Sequence, residues 1–340
     1  MSGISAAACL LLFAGHPPAH SALASAGPQA ARIESLWWLF FWVCSAVFLL
    51  VMAALAVGLV RDRTPEEAGA APGPIPPEAR RRRTRVVAVA TAITALILFV
   101  FLFASTGTGR AIASLSRSDR SDAMTVEVTG HQWWWEVQYI DPVPGQRVTT
   151  ANEIHIPVGR PVRIRTASHD VIHSFWVPSL HGKRDLIPGH DSEDFWLQAD
   201  RPGVYRGQCA EFCGHQHAHM AFLVIADPPD RFAAWLDAQR QPAATPATPQ
   251  ALRGQDLFVH LQCALCHAVE GTDAGGRVGP DLTHVASRRT LAAATLPNTR
   301  GHLSDWIVDS QRIKPGNPMP PTRLAGEDLE SILAYLESLK

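Results

Sequence analysis

Cys209-Ala210-Glu211-Phe212-Cys213-Gly214-His215-Gln216-His217-Ala218-His219-Met220 places two thiols, three imidazoles and a thioether in one short stretch. Two thiolates four residues apart can turn toward one point from a tight loop. Thiolate, imidazole and thioether together make a soft-to-borderline ligand set, which selects copper over calcium or magnesium. One Cys with two His and a Met would suit a single copper ion. Two Cys can instead bridge two copper ions, which then share one unpaired electron, so that little has to move when the electron leaves. Zinc and a disulfide are the other readings of such a pair. A second imidazole must come from elsewhere in the chain. His173, in Asp170-Val171-Ile172-His173-Ser174-Phe175, lies on a predicted strand upstream. His215 and His219 flank His217 and read as solvated loop residues.

Outward from this loop, residues 120–240 are short β-prone runs broken by Pro and Gly. Eight runs stand out: 124–129, 133–140, 153–156, 162–166, 172–177, 195–198, 204–207 and 222–225. That many short strands in one segment predict a β-sandwich or barrel. A helical turn over 229–239 closes the domain. Residues 241–250 (QPAATPATPQ) form a Pro/Ala/Thr linker without a core of its own.

Residues 251–340 hold two amphipathic helices, 251–261 and 327–339, around a loop-rich middle. Cys263-Ala264-Leu265-Cys266-His267 is the C-x-x-C-H pattern of covalent haem attachment. Its thiols would form thioethers, and His267 would face the iron. Met319 is the sole methionine after residue 220 and supplies the second axial ligand that an electron-transfer haem requires. Phe258 and Tyr335 are spaced to pack where the two helices cross. A disulfide or thioredoxin-like pair is the alternative reading of Cys263 and Cys266.

Before the sandwich lie two uncharged apolar runs, 37–60 and 86–104, each of about 20 residues and long enough to span a bilayer. Together with residues 27–110 they read as a transmembrane hairpin. Its loop, 61–85, carries Arg61, Arg63, Arg80, Arg81, Arg82, Arg83 and Arg85. Such loops stay in the cytoplasm, which places both metal-bearing domains in the periplasm of a two-pass inner-membrane protein. Residues 1–26 read as an export signal, with small residues for cleavage at 22–26. The net charge of −1 over 340 residues offers no pointer to nucleic acid.

The copper stretch resembles the binuclear copper A signature C-x-E-x-C-G-x-x-H-x-x-M of cytochrome c oxidase subunit II. Asp170, Val171, His173, Ser174 and Phe175, followed by Pro178, Lys183, Asp185 and Pro188-Gly189, resemble that family's upstream block. The C-terminal domain resembles class I cytochrome c, including Gly279-Pro280-Asp281-Leu282 over the haem. The resemblance implies three parts: a two-helix transmembrane hairpin, an all-β cupredoxin-like sandwich and an all-α cytochrome c domain, the arrangement of a caa-type oxidase. It implies that Cys209 and Cys213 bridge two copper ions and that His173 and His217 bind one each. Met220 and the Glu211 carbonyl become weak axial ligands. The Glu211 carboxylate would reach a magnesium or manganese ion shared with subunit I. His131-Gln132-Trp133-Trp134-Trp135 resembles the family's aromatic patch, in which Trp133 would admit electrons; three packed core aromatics are the other reading. The implied partners are oxidase subunits I and III, a soluble cytochrome c and membrane lipid.

Two departures from that pattern stand out. The family's Glu at the start of the second span has no counterpart in register, Glu78 being displaced. The family's Pro-Gly-Arg is Pro-Gly-His, ending at His190. The expected function is stepwise electron transfer to a partner that reduces dioxygen. Nitrous oxide reductase, nitric oxide reductase and a free-standing redox shuttle are the rival readings.

Overall fold

The computed structural model describes residues 20–60, 75–117, 123–190 and 194–340. Most of the export signal and the centre of the arginine-bearing loop lie outside the described residues.

Alternating apolar residues build the sandwich. In β1 (Thr125–His131) and β2 (Trp134–Ile140), Val126, Val128, Trp135, Val137 and Tyr139 point inward, and the polar residues between them point out. The two strands pair antiparallel, from Thr125 opposite Ile140 to His131 opposite Trp134. Eight further strands complete the domain: β3 (Val148–Ala151), β4 (Glu153–Pro157), β5 (Val162–Ser168), β6 (His173–Trp176), β7 (Arg184–Leu186), β8 (Phe195–Leu197), β9 (Gly203–Cys209) and β10 (Ala221–Asp227). One sheet has the order β3-β2-β1-β5-β8 and the other β4-β10-β9-β6-β7. Their inner faces share a core that includes Trp135, Phe175, Phe195 and Phe222. The two strands absent from the sequence reading, β3 and β7, are both sheet edges. An edge strand pairs on one side only and needs no apolar run to announce it.

Residues 20–26, read from sequence as the end of an export signal, are built into this sandwich. Ala26 is buried in its core, donates its N–H to the Ser179 carbonyl and accepts from the Asp200 N–H. The Gln29 side chain donates to the Trp196 carbonyl at 2.9 Å.

The helix after the sandwich, α3 (Pro229–Gln239), leads to the C-terminal domain. Helices α4 (Pro249–His260) and α8 (Gly326–Ser338) cross there at Gly254, where any β-carbon would collide with the Ser331 carbonyl. Phe258 and Tyr335 meet at the crossing edge to face, ring centroids 5.7 Å apart. The short helix α5 (Cys263–Cys266) carries both thiols of the attachment motif. The middle is more ordered than the sequence suggests. It contains a ribbon of β11 (Thr290–Leu291) and β12 (Leu296–Pro297), a nine-residue helix α6 (Arg300–Val308) and the single turn α7 (Ser310–Ile313). Thr299 caps α6 by accepting from the His302 N–H.

The hairpin is a separate unit. Its helices, α1 (Pro28–Val60) and α2 (Pro77–Arg117), are long and apolar enough to cross a membrane. Both run past the apolar stretches. Pro77 opens α2, a position where its fixed φ and missing N–H cost nothing. Arg80–Arg85 are therefore helical, where the sequence reading put them in a loop. Within the hairpin, Phe40 stacks on Phe101 with centroids 4.0 Å apart.

Candidate metal and haem centres

The loop between β9 and β10 forms the first site. The Cys209 N–H donates to the Met220 carbonyl, closing the loop at its base, and the Ala210 N–H donates to the Ser174 carbonyl on β6. Phe175 pairs with Cys209 across those strands, which brings His173, at the head of β6, beside the sulfur.

Six donor atoms converge there. Cys209 Sγ lies 3.8 Å from Cys213 Sγ, 3.8 Å from His173 Nδ1 and 3.2 Å from the Glu211 carbonyl oxygen. Cys213 Sγ lies 3.6 Å from His217 Nδ1 and 3.7 Å from Met220 Sδ. Both cysteines are free thiols, and His173, Cys209, Cys213 and Met220 are buried. The Cys209 thiol is held well below its usual value, first by its hydrogen bond with Cys213 and then, against burial, by His173. Cys213 is driven up by the same contact and by its own burial. A site that already favours one thiolate is ready for cationic metal.

Asp170 orients the first imidazole. Its Oδ1 sits 2.8 Å from His173 Nε2, and Oδ2 accepts the Gln132 N–H at 2.6 Å. Burial opposes ionisation of Asp170, but these bonds and the Val171 N–H hold its carboxyl below the usual range. A carboxylate on one ring nitrogen leaves the other free for metal. Sequence reasoning assigned Asp170 no such role, although the D-x-x-H spacing was a usable signal.

Trp133 packs directly against this loop. It is buried, and its Nε1–H donates to the Cys213 carbonyl at 2.9 Å, a carbonyl that also receives the Gln132 side-chain amide at 2.7 Å. Trp134, on the opposite face, stacks on His131. The neighbouring histidines point elsewhere: His215 is exposed, and His219 Nδ1 pairs with the Gln216 amide oxygen at 2.8 Å. Glu211 is exposed, and its carbonyl joins the donor cluster. His190 is exposed, and Glu78 lies in the first turn of α2.

The second site centres on His267. Its Nδ1–H donates to the Pro280 carbonyl at 2.7 Å, which leaves Nε2 as the free ligand atom. Burial holds this imidazole neutral by lowering its pKa. The Gly279-Pro280 loop reaches it because a β-carbon on Gly279 would strike the ring. The Gly279 N–H donates to the Cys266 carbonyl at 2.8 Å, locking that loop onto the C-x-x-C-H turn. Cys263 and Cys266 are free thiols. Arg288 is half-buried and donates through Nη2 to the Asp281 carbonyl, and its Nε is buried with no partner among the described residues, a fit for an anionic propionate of haem. Met319 sits in a loop knotted by its own polar groups. Its N–H donates to Asn317 Oδ1, and its carbonyl accepts from Ser310 Oγ and the Gln311 amide.

Residues 140–226 match the family described as cytochrome c oxidase subunit II, periplasmic domain, and residues 251–340 match the cytochrome c family. The chain thus resembles a subunit II periplasmic domain followed by a cytochrome c domain. It is similar to a cytochrome c oxidase subunit 2 of Alkalihalophilus pseudofirmus, with 41% identity over 216 residues, covering 63% of this chain and 61% of that one. A second such protein, of Bacillus sp. PS3, is 33% identical over 231 residues, covering 64% and 63%. The matches thus span less than two thirds of either relative. The crystal structure of the periplasmic domain of subunit II of cytochrome oxidase from Bradyrhizobium japonicum aligns at 29% identity. That alignment covers 34% of this chain and 93% of the other, with a TM-score of 0.32. The two matched families imply a copper A centre in the subunit II domain and haem c in the cytochrome domain. The donor cluster and the His267 turn fit those two groups. The two apolar helices and these relatives fit a two-pass membrane protein.

Proposed function

We propose that this chain is the electron-transfer subunit II of a respiratory haem-copper cytochrome c oxidase in a bacterial inner membrane. It would accept electrons from a soluble cytochrome c on the periplasmic side. It would deliver them to subunit I, where dioxygen is reduced to water with proton translocation. The observation that carries this reading is the convergence of six soft and borderline donors in a chain that also presents C-x-x-C-H with Nδ1 of its histidine already tied.

In this reading Cys209, Cys213, His173 Nδ1, His217 Nδ1, Met220 and the Glu211 carbonyl would hold two copper ions, and Cys263, Cys266, His267 and Met319 would hold the haem, the two cysteines covalently. When bound, the two groups supply one-electron carriage. The protein's part is to keep both sites dry and rigid: a buried cysteine pair in a loop closed between paired strands moves little between oxidation states. Trp133, hydrogen-bonded to the Cys213 carbonyl, is the route inward to that pair. The exposed Glu211 carboxylate is available to a magnesium or manganese ion at the border with subunit I. The apolar surface of α1 and α2 would face lipid and subunits I and III.

Metal and spectral analysis of the full chain tests this. Two copper atoms and one covalent haem per chain are expected. A single copper, a zinc or an extractable haem overturns the reading. Cys209→Ser should abolish the copper signal and leave the haem spectrum intact.

A further inference from the structure

Two buried charges lie on the seam between the sandwich and the cytochrome domain. Lys314 is 2% exposed, and its Nζ reaches three backbone carbonyls: Trp133 at 2.8 Å, His219 at 3.0 Å and Ala292 at 3.3 Å. An ammonium has three N–H donors and no acceptor, so this set matches it one to one. The carbonyls come from three separate segments. Trp133 belongs to the aromatic patch, His219 to the copper loop, and Ala292 to the turn of the β11–β12 ribbon. They surround one point only when the two domains hold one relative pose.

Glu153 is the second anchor. It is 3% exposed on edge strand β4, and its Oε1 accepts the Arg289 N–H at 2.8 Å, the Thr290 N–H at 2.9 Å and the Thr290 hydroxyl at 3.0 Å. Each charge has left water, which is costly unless hydrogen bonds replace it, and each set of bonds crosses the seam. Burial pulls Lys314 down to about 7, but carbonyls accept only from its N–H groups and favour the charged form.

The loop that carries Lys314 also carries Met319. The Asn317 amide donates to the Lys314 carbonyl and accepts the Met319 N–H, so the two residues share one small knot. On the other side, the Pro315 carbonyl accepts from the Gln216 amide at 2.8 Å, and Gly316 lies against the Trp133 ring. The loop proposed to ligate the haem thus touches the loop proposed to ligate copper.

We propose that Lys314, with Glu153 as its second anchor, is a positioning residue that clamps the Met319 loop onto Trp133 and the copper loop. The fused cytochrome domain is then docked in one pose, not tethered loosely by residues 241–250. Trp133 is covered in that pose, so an outside donor reaches only the haem. This proposal rests on the function given above.

The test uses the full chain with its metals, in wild type, Lys314→Met, Glu153→Ala and Glu153→Gln. Haem is photoreduced and the copper band followed, and in parallel the 241–250 linker is exposed to a protease. Lys314→Met should slow the haem-to-copper step about tenfold, the effect of one lost charge-assisted anchor on the docked fraction. That rate should become dependent on solvent viscosity, linker cleavage should quicken, and both metal spectra should stay unchanged. Glu153→Ala should act in the same direction, and Glu153→Gln, which keeps an acceptor oxygen, should recover most of the wild-type rate. If Lys314→Met does not fold, the Glu153 pair decides. Unchanged rate and cleavage in Lys314→Met and Glu153→Ala overturn the clamp. If the wild type lacks either metal group, the proposed function fails, and linker cleavage in the variants still decides the docking.

Discussion

The copper loop and the haem turn are built on opposite plans. In the copper loop the protein brings every donor together itself: one imidazole and one sulfur stand on β6 and β9, and the second sulfur, the second imidazole, the thioether and the carbonyl come from the loop that those strands hold closed. In the haem turn the protein prepares one face. His267 is oriented and the buried Arg288 Nε has no partner among the described residues, but the surrounding domain has two main helices, one nine-residue helix, two single helical turns and a ribbon of two-residue strands. A domain of that size buries too little surface to be secure without a staple. Removal of metal from the first site should therefore leave the sandwich folded, and the second domain should depend on its cofactor.

The largest effect should come from breaking that dependence. Cys266→Ala removes one covalent tie, and the cytochrome domain should lose its cooperative melting transition while the sandwich transition stays in place. Calorimetry of the full chain separates the two. Equal melting of both domains with and without haem would erase the contrast.

The sandwich should fail through its own buried groups. Burial lowers the His181 pKa to about 4, with the nearby Arg184 charge adding to the effect and the Gly182 carbonyl opposing it. The unfolded imidazole takes a proton near 6.5 and the folded one does not. Stability present above pH 6.5 is therefore lost as pH falls toward 4, by about 3 kcal/mol in all. Denaturant titrations of wild type and His181→Gln at both ends of that window should show the loss in the wild type only.

The smallest effect concerns preorganisation within the copper loop. Asp170→Asn keeps the shape but weakens the bond to His173 Nε2. Copper affinity should fall about 10- to 100-fold, with the fold retained, when measured by competition with a chelator. An unchanged affinity would mean that the strands alone aim the imidazole.

Much of both centres was legible because their ligands are local in sequence. A C-x-x-x-C loop or a C-x-x-C-H turn folds its donors together whatever surrounds it, so the spacing of Cys209, Cys213, His217 and Met220 already carries the chemistry. Alternation in β1 and β2 and the apolar runs of α1 and α2 are likewise properties of a short window. Edge strands β3 and β7 were hidden because one-sided pairing leaves little compositional trace. Arg80–Arg85 were placed in a loop because charge, and not helix propensity, dominated the reading.

The sequence by itself determined which residues could bind metal and in what order the domains follow. Tertiary structure alone decided that residues 20–26 belong to the sandwich and that Lys314 and Glu153 meet carbonyls and N–H groups across a domain seam. The Lys314 contacts join residues from 22 to 181 positions apart. Periodicity and spacing report on neighbours along the chain. A buried charge reports on whatever the completed fold brings within hydrogen-bond reach.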